Sequence, residues 1–184
     1  MDERKRLIEL IRQRAYRRTQ TPEITLASGK KSCFYFNLKK VICSSEGQYL
    51  TGQLMYNKIV ELGLSPDGVG GLTMGADPIS YATAYTFHTH GRFVEAFAIR
   101  KEPKDHGAGL QIEGNIAEGA RVIITEDVVT TGGSTIKAIT IARKHGLQVM
   151  AVIALLDRCE ENGRRNIEAL GVPMHAILTI ADFQ

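Results

Sequence analysis

The chain has 184 residues, of which 43% are hydrophobic and 23% charged, a composition typical of globular proteins rather than of disordered or fibrous ones. Its net charge of +3 is too small to indicate a nucleic-acid-binding protein by itself, and no apolar run approaches the roughly 20 residues that span a bilayer. The N-terminus lacks the apolar core and cleavage site of a signal peptide, so we expect a cytoplasmic protein with no membrane partner. Its three cysteines show no C-x-x-C spacing and indicate neither a disulfide framework nor a zinc site.

The first 62 residues are predicted to form a helix, a hairpin and a second helix. Residues 2–18 carry a helical apolar stripe on a very basic segment, which favours a helix that docks one face; a basic arm for nucleic acid is the alternative. Residues 23–38 read as a hairpin around S-G-K-K, part of a small lobe over the main sheet. A helix is expected over residues 46–62, closed by Gly63.

Strands and helices alternate along the rest of the chain. The predicted elements are a strand at Gly68–Leu72, a turn T-M-G-A, a helix from Asp77 as N-cap to His90, a strand at Phe93–Ile99, a loop at 100–114, a strand at Val122–Ile124, a helix from Ile136, a strand at Gln148–Leu156, a helix at about 163–170 and a strand at about 174–180. Such alternation predicts an α/β fold with a mainly parallel sheet in one folding unit, residues 1–184. Ligands collect at the carboxyl ends of parallel strands, where this order places the turn 73–76, the loops 100–107 and 127–134, and Arg158.

The stretch from Arg121 to Thr135, RVIITEDVVTTGGST, carries the most specific signal. An acid pair, Glu126 and Asp127, is followed by a loop of glycines and hydroxyl side chains and then by a helix N-terminus. Backbone N–H groups and hydroxyls there can bind a phosphate, and the carboxylates can accept sugar hydroxyls. The stretch is neither a P-loop nor G-x-G-x-x-G, so a sugar phosphate is the best match; an ordinary βα turn is the alternative.

A second cluster of charge follows the strand that ends at Ile99. The run R-K-E-P-K-D-H-G at positions 100–107 holds three cations and a histidine, and glycines follow it. Such a loop is typical of a flap that closes over an anion and stabilises a leaving pyrophosphate. A solvated surface turn is the alternative interpretation.

Four motifs together resemble one known family. The acid-acid-x-x-x-T-G-G-S/T run is similar to the phosphoribosyl pyrophosphate (PRPP) signature of type I phosphoribosyltransferases. R-K-x-x-K-x-H-G, S-G-K-K-S-C-F-Y-F-N and L-L-D-R-C-E-E-N-G resemble segments of orotate phosphoribosyltransferases. The resemblance implies the type I phosphoribosyltransferase fold, with a mainly parallel sheet flanked by helices as core, about 45–184, and a small N-terminal hood lobe, about 1–44.

The resemblance also implies roles for individual residues. Lys104 and Asp127 are expected to be catalytic, and Tyr35, Phe36, Thr130 and Arg158 to bind orotate. The residues expected to bind PRPP are Arg100, Lys101, Lys104, His106, Glu126, Asp127, Val128, Val129, Thr130, Thr131, Gly132, Gly133 and Ser134. For Arg158 an ion pair to Glu160 or Glu161, or a cap on the preceding strand, is the alternative.

The family also implies Mg²⁺, held mostly by PRPP oxygens rather than by protein ligands, and a homodimer whose flap acts on the partner's site. No nucleic-acid partner is expected. A phosphoribosyltransferase for another base, or a PRPP-binding regulator with this fold, remains an alternative function.

Two positions depart from the family pattern. Ala27 and Gly75 stand where many members carry lysine. Backbone N–H groups of the turn 73–76 are an alternative contact for a pyrophosphate oxygen, because Gly75 permits close approach.

Overall fold

The computed structural model describes residues 2–25, 29, 31–102 and 111–184. Its helices are α1 (Glu3–Arg14), α2 (Lys39–Ile42), α3 (Ser45–Glu61), α4 (Asp77–Thr89), α5 (Gly133–Lys144) and α6 (Gly163–Glu168), with a 3₁₀ helix at Ile180–Phe183. Its strands are β1 (Tyr16–Arg18), β2 (Ile24–Thr25), β3 (Lys31–Ser32), β4 (Phe34–Phe36), β5 (Gly68–Leu72), β6 (Glu95–Ile99), β7 (Ile112–Gly114), β8 (Arg121–Val129), β9 (Gln148–Asp157) and β10 (Met174–Thr179). None of the described helices is long and apolar enough to span a membrane.

A six-stranded sheet in the order β10-β9-β8-β5-β6-β7 forms the centre of the molecule. The first five strands in this order are mutually parallel, and β7 pairs antiparallel with β6. This arrangement confirms the predicted α/β fold with a mainly parallel sheet. It brings the carboxyl ends of β5, β6, β8 and β9 to one edge of the sheet.

Both faces of the sheet are covered, which explains the continuous apolar runs of β8 and β9. Side chains in a strand alternate between faces, so Ile123 belongs to one hydrophobic cluster while Val122 and Ile124 belong to the other. The first cluster contains Phe87 of α4 and residues of α1, α2 and α3, and the second contains Ile139 of α5. The strand that carries the acid pair is therefore held from both sides.

The N-terminal helix is shorter than predicted. It ends at Arg14, and Tyr16–Arg18 instead forms β1, which pairs antiparallel with β4. The ring of Tyr16 lies 5.1 Å from that of Phe36 and 5.5 Å from that of Phe183. These aromatic contacts stabilise the strand at a place where the sequence predicted continued helix.

The predicted hairpin is confirmed in part. Ile24 pairs with Ser32 and Thr25 with Lys31, but Phe34–Phe36 belongs to the separate β1–β4 pair rather than to the hairpin. Residues 26–28 and 30, which include Ala27, lie outside the described residues.

Two further boundaries differ from the prediction. The expected loop 100–114 ends in the short strand β7, which pairs with β6 at Phe97–Gly114 and Ile99–Ile112. Only one apolar residue marks β7 in the sequence, so it gives no periodic signal. Asp77 is the first residue of α4 rather than its N-cap, and its Oδ2 accepts a hydrogen bond from Thr73 Oγ1 at 2.6 Å.

Candidate active site

The acid pair lies among the last residues of β8 rather than after the strand, because β8 continues to Val129. Glu126 is only 6% exposed, and its Oε2 accepts a hydrogen bond from Thr135 Oγ1 at 3.0 Å. Burial, and then the charge of Asp127, raise the pKa of Glu126 to about 8. The pair therefore carries less negative charge at neutral pH than two free carboxylates, which lowers its repulsion of a phosphate.

Asp127 is held on three sides. Its Oδ1 accepts a hydrogen bond from the Val128 amide at 2.9 Å, and its Oδ2 accepts one from Lys39 Nζ at 3.1 Å. Gly75 packs so closely that a Cβ there would lie 2.7 Å from Oδ1. The close approach expected at Gly75 thus involves Asp127, and Lys39 is a contact that sequence reasoning missed.

The loop after β8 encloses a cavity of about 160 Å³. Its lining consists of Glu126, Val128, Thr130, Thr131, Gly132, Gly133, Ser134 and Thr135. Gly132 precedes α5 with φ of +81°, a left-handed conformation that favours glycine, and the Gly133 amide donates to Thr131 Oγ1 at 3.3 Å. The N-terminal end of α5 thus faces the cavity with its amide groups and positive dipole end, as an anion site requires.

Helix α6 fixes the other side of this loop. Asn166 Nδ2 donates to the Thr131 carbonyl at 3.0 Å, and a Cβ on Gly132 would lie 2.9 Å from the Gly163 carbonyl oxygen. A Cβ on Gly163 would in turn collide with the carbonyl of Thr130. The loop and the start of α6 are in contact, so the loop conformation is set by packing as well as by its own glycines.

Arg158 lies beside the loop, because its backbone amide donates to the Val129 carbonyl at 3.0 Å. Its side chain is 4% exposed and forms an ion pair with Glu160 at 2.9 Å. Nη2 also donates to Ser32 Oγ at 2.9 Å and to the Phe34 carbonyl at 3.3 Å. The alternative of a bridge to Glu160 is therefore confirmed as a contact, while orotate binding stays a prediction.

The aromatic residues expected over the base lie close to Arg158. Its guanidinium carbon is 5.9 Å from the centre of the Phe36 ring, and Tyr35 next to it in β4 is exposed. Within the part of the chain that the structure describes, no residue accepts a hydrogen bond from Arg158 Nη1.

Only the beginning of the predicted flap is described. Arg100 is exposed at the end of β6 and forms an ion pair with Glu113 at 3.4 Å, and the neighbouring Lys101 is also exposed. Lys137 of α5 pairs with Glu102 at 3.1 Å. This pair connects the start of the flap to the helix behind the loop. Lys104 and His106 lie outside the described residues.

Within residues 2–25, 29, 31–102 and 111–184, no group of three or more His, Cys, Asp or Glu side chains is arranged to hold a metal ion.

Residues 48–178 match the model of the phosphoribosyl transferase domain. Orotate phosphoribosyltransferase of Aquifex aeolicus is 44% identical over 182 residues, which cover 99% of this chain and 98% of that protein. The enzyme of Bradyrhizobium diazoefficiens is 42% identical over 184 residues, 98% of this chain and 95% of that protein.

Solved structures agree. Mycobacterium tuberculosis orotate phosphoribosyltransferase in complex with PRPP superposes with a TM-score of 0.80 at 32% identity and covers 98% of both chains. The Fe(III) dicitrate complex of the same enzyme gives a TM-score of 0.83 at 33% identity, again over 98% of both chains. With an acid pair, a glycine loop and a guanidinium gathered at one sheet edge, and similarity that extends over nearly the whole chain, this protein belongs to the orotate phosphoribosyltransferase family.

Proposed function

We propose that this protein transfers the 5-phosphoribosyl group of PRPP to N1 of orotate, which yields orotidine 5′-monophosphate and pyrophosphate in de novo pyrimidine biosynthesis. The observation that carries this proposal is the contact of Arg158 with Val129, at 3.0 Å between amide and carbonyl. It sets a buried guanidinium next to the cavity that Glu126 and the loop 130–135 enclose. In our proposal these two places are the adjacent sites for the carboxylated base and for the sugar phosphate.

In this proposal the loop binds the 5′-phosphate of PRPP. The amides of Gly133 and Ser134 and the hydroxyls of Thr130 and Thr131 provide donors, and the helix dipole of α5 favours the anion. The pKa of Glu126, about 8, keeps this side chain protonated at neutral pH, so the phosphate approaches a neutral neighbour. Val128 lines the cavity and Val129 supports it from the core.

Asp127 is proposed to accept hydrogen bonds from the ribose hydroxyls. As the bond between the anomeric carbon and the diphosphate breaks, positive charge develops on the sugar, and a carboxylate at short range stabilises it. Glu126 is also proposed to accept a hydrogen bond from a ribose hydroxyl, which a protonated carboxyl group can still do. Both roles depend on a fixed orientation of the two side chains, which β8 and its contacts provide.

Arg158 is proposed to hold the orotate carboxylate through Nη1, while Nη2 and Nε remain bound to Ser32 and Glu160. A planar guanidinium suits this task because its donors lie in the plane of a carboxylate. Tyr35 and Phe36 would cover the pyrimidine ring, and Thr130 would contact it from the loop.

The flap is proposed to close over the diphosphate through Arg100, Lys101, Lys104 and His106. Cations at this place neutralise the charge that develops on the leaving pyrophosphate. In the proposed homodimer they act on the partner's site.

Mg²⁺ is proposed to arrive with PRPP and to be held mostly by diphosphate and ribose oxygens. One feature fits such an ion: beside the turn 73–76, Asp77 keeps a buried carboxylate oxygen that has no hydrogen-bond partner in the described part of the chain. Oxygen is the ligand that Mg²⁺ prefers. When bound, the ion would offset the charge of the diphosphate.

The proposal also includes a homodimer, a cytoplasmic location and a division of the chain into a hood, about 1–44, and a core, about 45–184.

A groove between α3 and α4, of about 620 Å³, presents the exposed aromatic residues Tyr49, Tyr81 and Tyr85. Aromatic side chains of this kind are enriched in protein interfaces, so this face is our candidate for contact with the second copy. Tyr85→Glu should then convert the dimer into monomers in sedimentation experiments; an unchanged dimer would place the interface elsewhere.

The experiment that tests the function follows the loss of orotate absorbance after addition of PRPP and Mg²⁺, with adenine, hypoxanthine and uracil in parallel. Turnover of orotate alone is the expected result. Turnover of another base would overturn the orotate assignment and keep phosphoribosyl transfer. PRPP binding without any turnover would favour the regulator.

A further inference from the structure

Lys39 contacts the predicted catalytic carboxylate from a distant part of the chain. Its Nζ lies 3.1 Å from Oδ2 of Asp127, 88 residues away, and the two side chains are 47% and 14% exposed. The ion pair therefore lies at the rim of the site rather than in bulk solvent. Lys39 belongs to none of the motifs that the resemblance covers.

Packing directs Lys39 towards the site. It begins the short helix α2, whose neighbours in sequence, Leu38, Val41 and Ile42, are buried in the core shared with α1 and α3. Lys40 comes next on the same helix and is exposed without a side-chain contact in the described part of the chain. Two adjacent lysines thus differ in their surroundings, and only one contacts an acid of the site.

Gly75 packs against the same carboxylate that Lys39 binds. A Cβ at this position would lie 2.7 Å from Oδ1 and 2.9 Å from Cγ of Asp127, so the turn 73–76 has no room for a side chain there. Here the backbone of the turn supports one carboxylate oxygen, and Lys39 binds the other.

We propose that Lys39 is a positioning residue that holds the Asp127 carboxylate towards the sugar-phosphate cavity. The proposal rests on the proposed function, since Asp127 has to meet the ribose of PRPP. A carboxylate that is oriented before the substrate arrives loses less freedom on binding and stabilises charge in the transition state more effectively. Lys39 then acts through Asp127 and not through the diphosphate.

A double-mutant cycle tests this mechanism. Lys39→Met should lower kcat about tenfold, and Lys39→Arg should restore it to within about threefold, because a charged hydrogen bond is retained. Lys40→Met is the matched control and should change kcat less than about twofold, as expected for an exposed side chain away from the site. In the Asp127→Asn background, Lys39→Met should change kcat less than about twofold, since the partner charge is gone.

Two results would overturn the proposal: an unchanged kcat in Lys39→Met, or the same loss in both backgrounds, which would show that Lys39 acts elsewhere. Thermal unfolding of each variant separates misfolding from lost positioning. Calorimetric PRPP affinity is measured on the same proteins. Wild-type protein that binds PRPP but consumes no orotate would overturn the proposed function. The same double-mutant cycle, applied to PRPP affinity instead of kcat, would still decide whether Lys39 acts through Asp127.

Discussion

The cavity at the loop 130–135 is lined by residues from one short stretch of the chain, whereas the surface around Arg158 is assembled from segments far apart in the chain. The conformation of the loop depends mainly on Gly132 at φ of +81° and on the start of α5, with α6 packed against it. Arg158 instead depends on Ser32, which lies 126 residues away and accepts its hydrogen bond at 2.9 Å. The two regions lie side by side and serve, in our proposal, the phosphate and the base of one reaction.

This difference indicates how each region should respond to substitution. A change in the loop alters backbone conformation and with it several amide donors at once. A change around Arg158 alters the orientation of one side chain and leaves the loop intact. We therefore expect large effects on PRPP for the first region and smaller effects, confined to orotate, for the second.

The largest effect should concern stability, through Glu126. A carboxyl whose pKa is raised to about 8 in the folded protein, from an ordinary 4.5, contributes stability that is complete below about pH 4.5 and is lost as pH rises through about 8. At roughly 1.4 kcal/mol per pH unit, the free energy of unfolding should fall by several kcal/mol across this window. Glu126→Gln should flatten this dependence in urea unfolding at several pH values.

The matched control is the exposed Glu95→Gln, which should keep the wild-type slope. Equal slopes in wild type and Glu126→Gln would show that the buried carboxyl does not hold its proton.

Lys104 should give the next largest effect. Lys104→Ala removes a cation from the leaving pyrophosphate and should lower kcat by about 10²–10³, as loss of a preorganised donor does, with a much smaller change in PRPP affinity. Steady-state kinetics with PRPP varied checks this, with the exposed Lys144→Ala as control. If kcat stayed within about threefold, Lys104 would have no such role.

Gly132 tests the loop directly. Gly132→Ala introduces a Cβ at 2.9 Å from the Gly163 carbonyl and forces a left-handed conformation on alanine. We expect PRPP affinity to fall by on the order of a hundredfold, because the amide donors move together.

Gly171→Ala separates backbone strain from loss of the site. Gly171 has φ of +72° with no atom within 4 Å of a Cβ, so its substitution carries the same strain away from the cavity. Equal PRPP affinities of the two variants in calorimetry would contradict the proposed role of the loop.

Ser32 should give the smallest effect. Ser32→Ala removes one of the contacts that orient Arg158 and should raise the KM for orotate about fivefold, the loss expected for one hydrogen bond to a charged group that keeps other partners. The KM for PRPP should stay unchanged, and the exposed Ser65→Ala serves as control. An equal rise in both constants would show that the two regions are not independent.

Local sequence was sufficient to locate the contiguous parts of the candidate site. The loop 130–135 and the acid pair could be predicted, because glycines, hydroxyls and acids at fixed spacing restrict the backbone locally, whereas the contact of Gly75 with Asp127 was not expected. The same reasoning missed β1 and β7, which are too short to show periodicity and exist through pairing with other strands.

The amino-acid sequence by itself thus determined the α/β alternation, the parallel sheet and the glycine loop at the start of α5, all of which depend on short-range periodicity and backbone preference. Only the tertiary structure decided that Glu126 is buried with a raised pKa, that Lys39 binds Asp127, and that Arg158 binds Ser32. These three features arise from side chains brought together by core packing across long separations. No local pattern encodes which polar groups will meet when the sheet is covered on both faces.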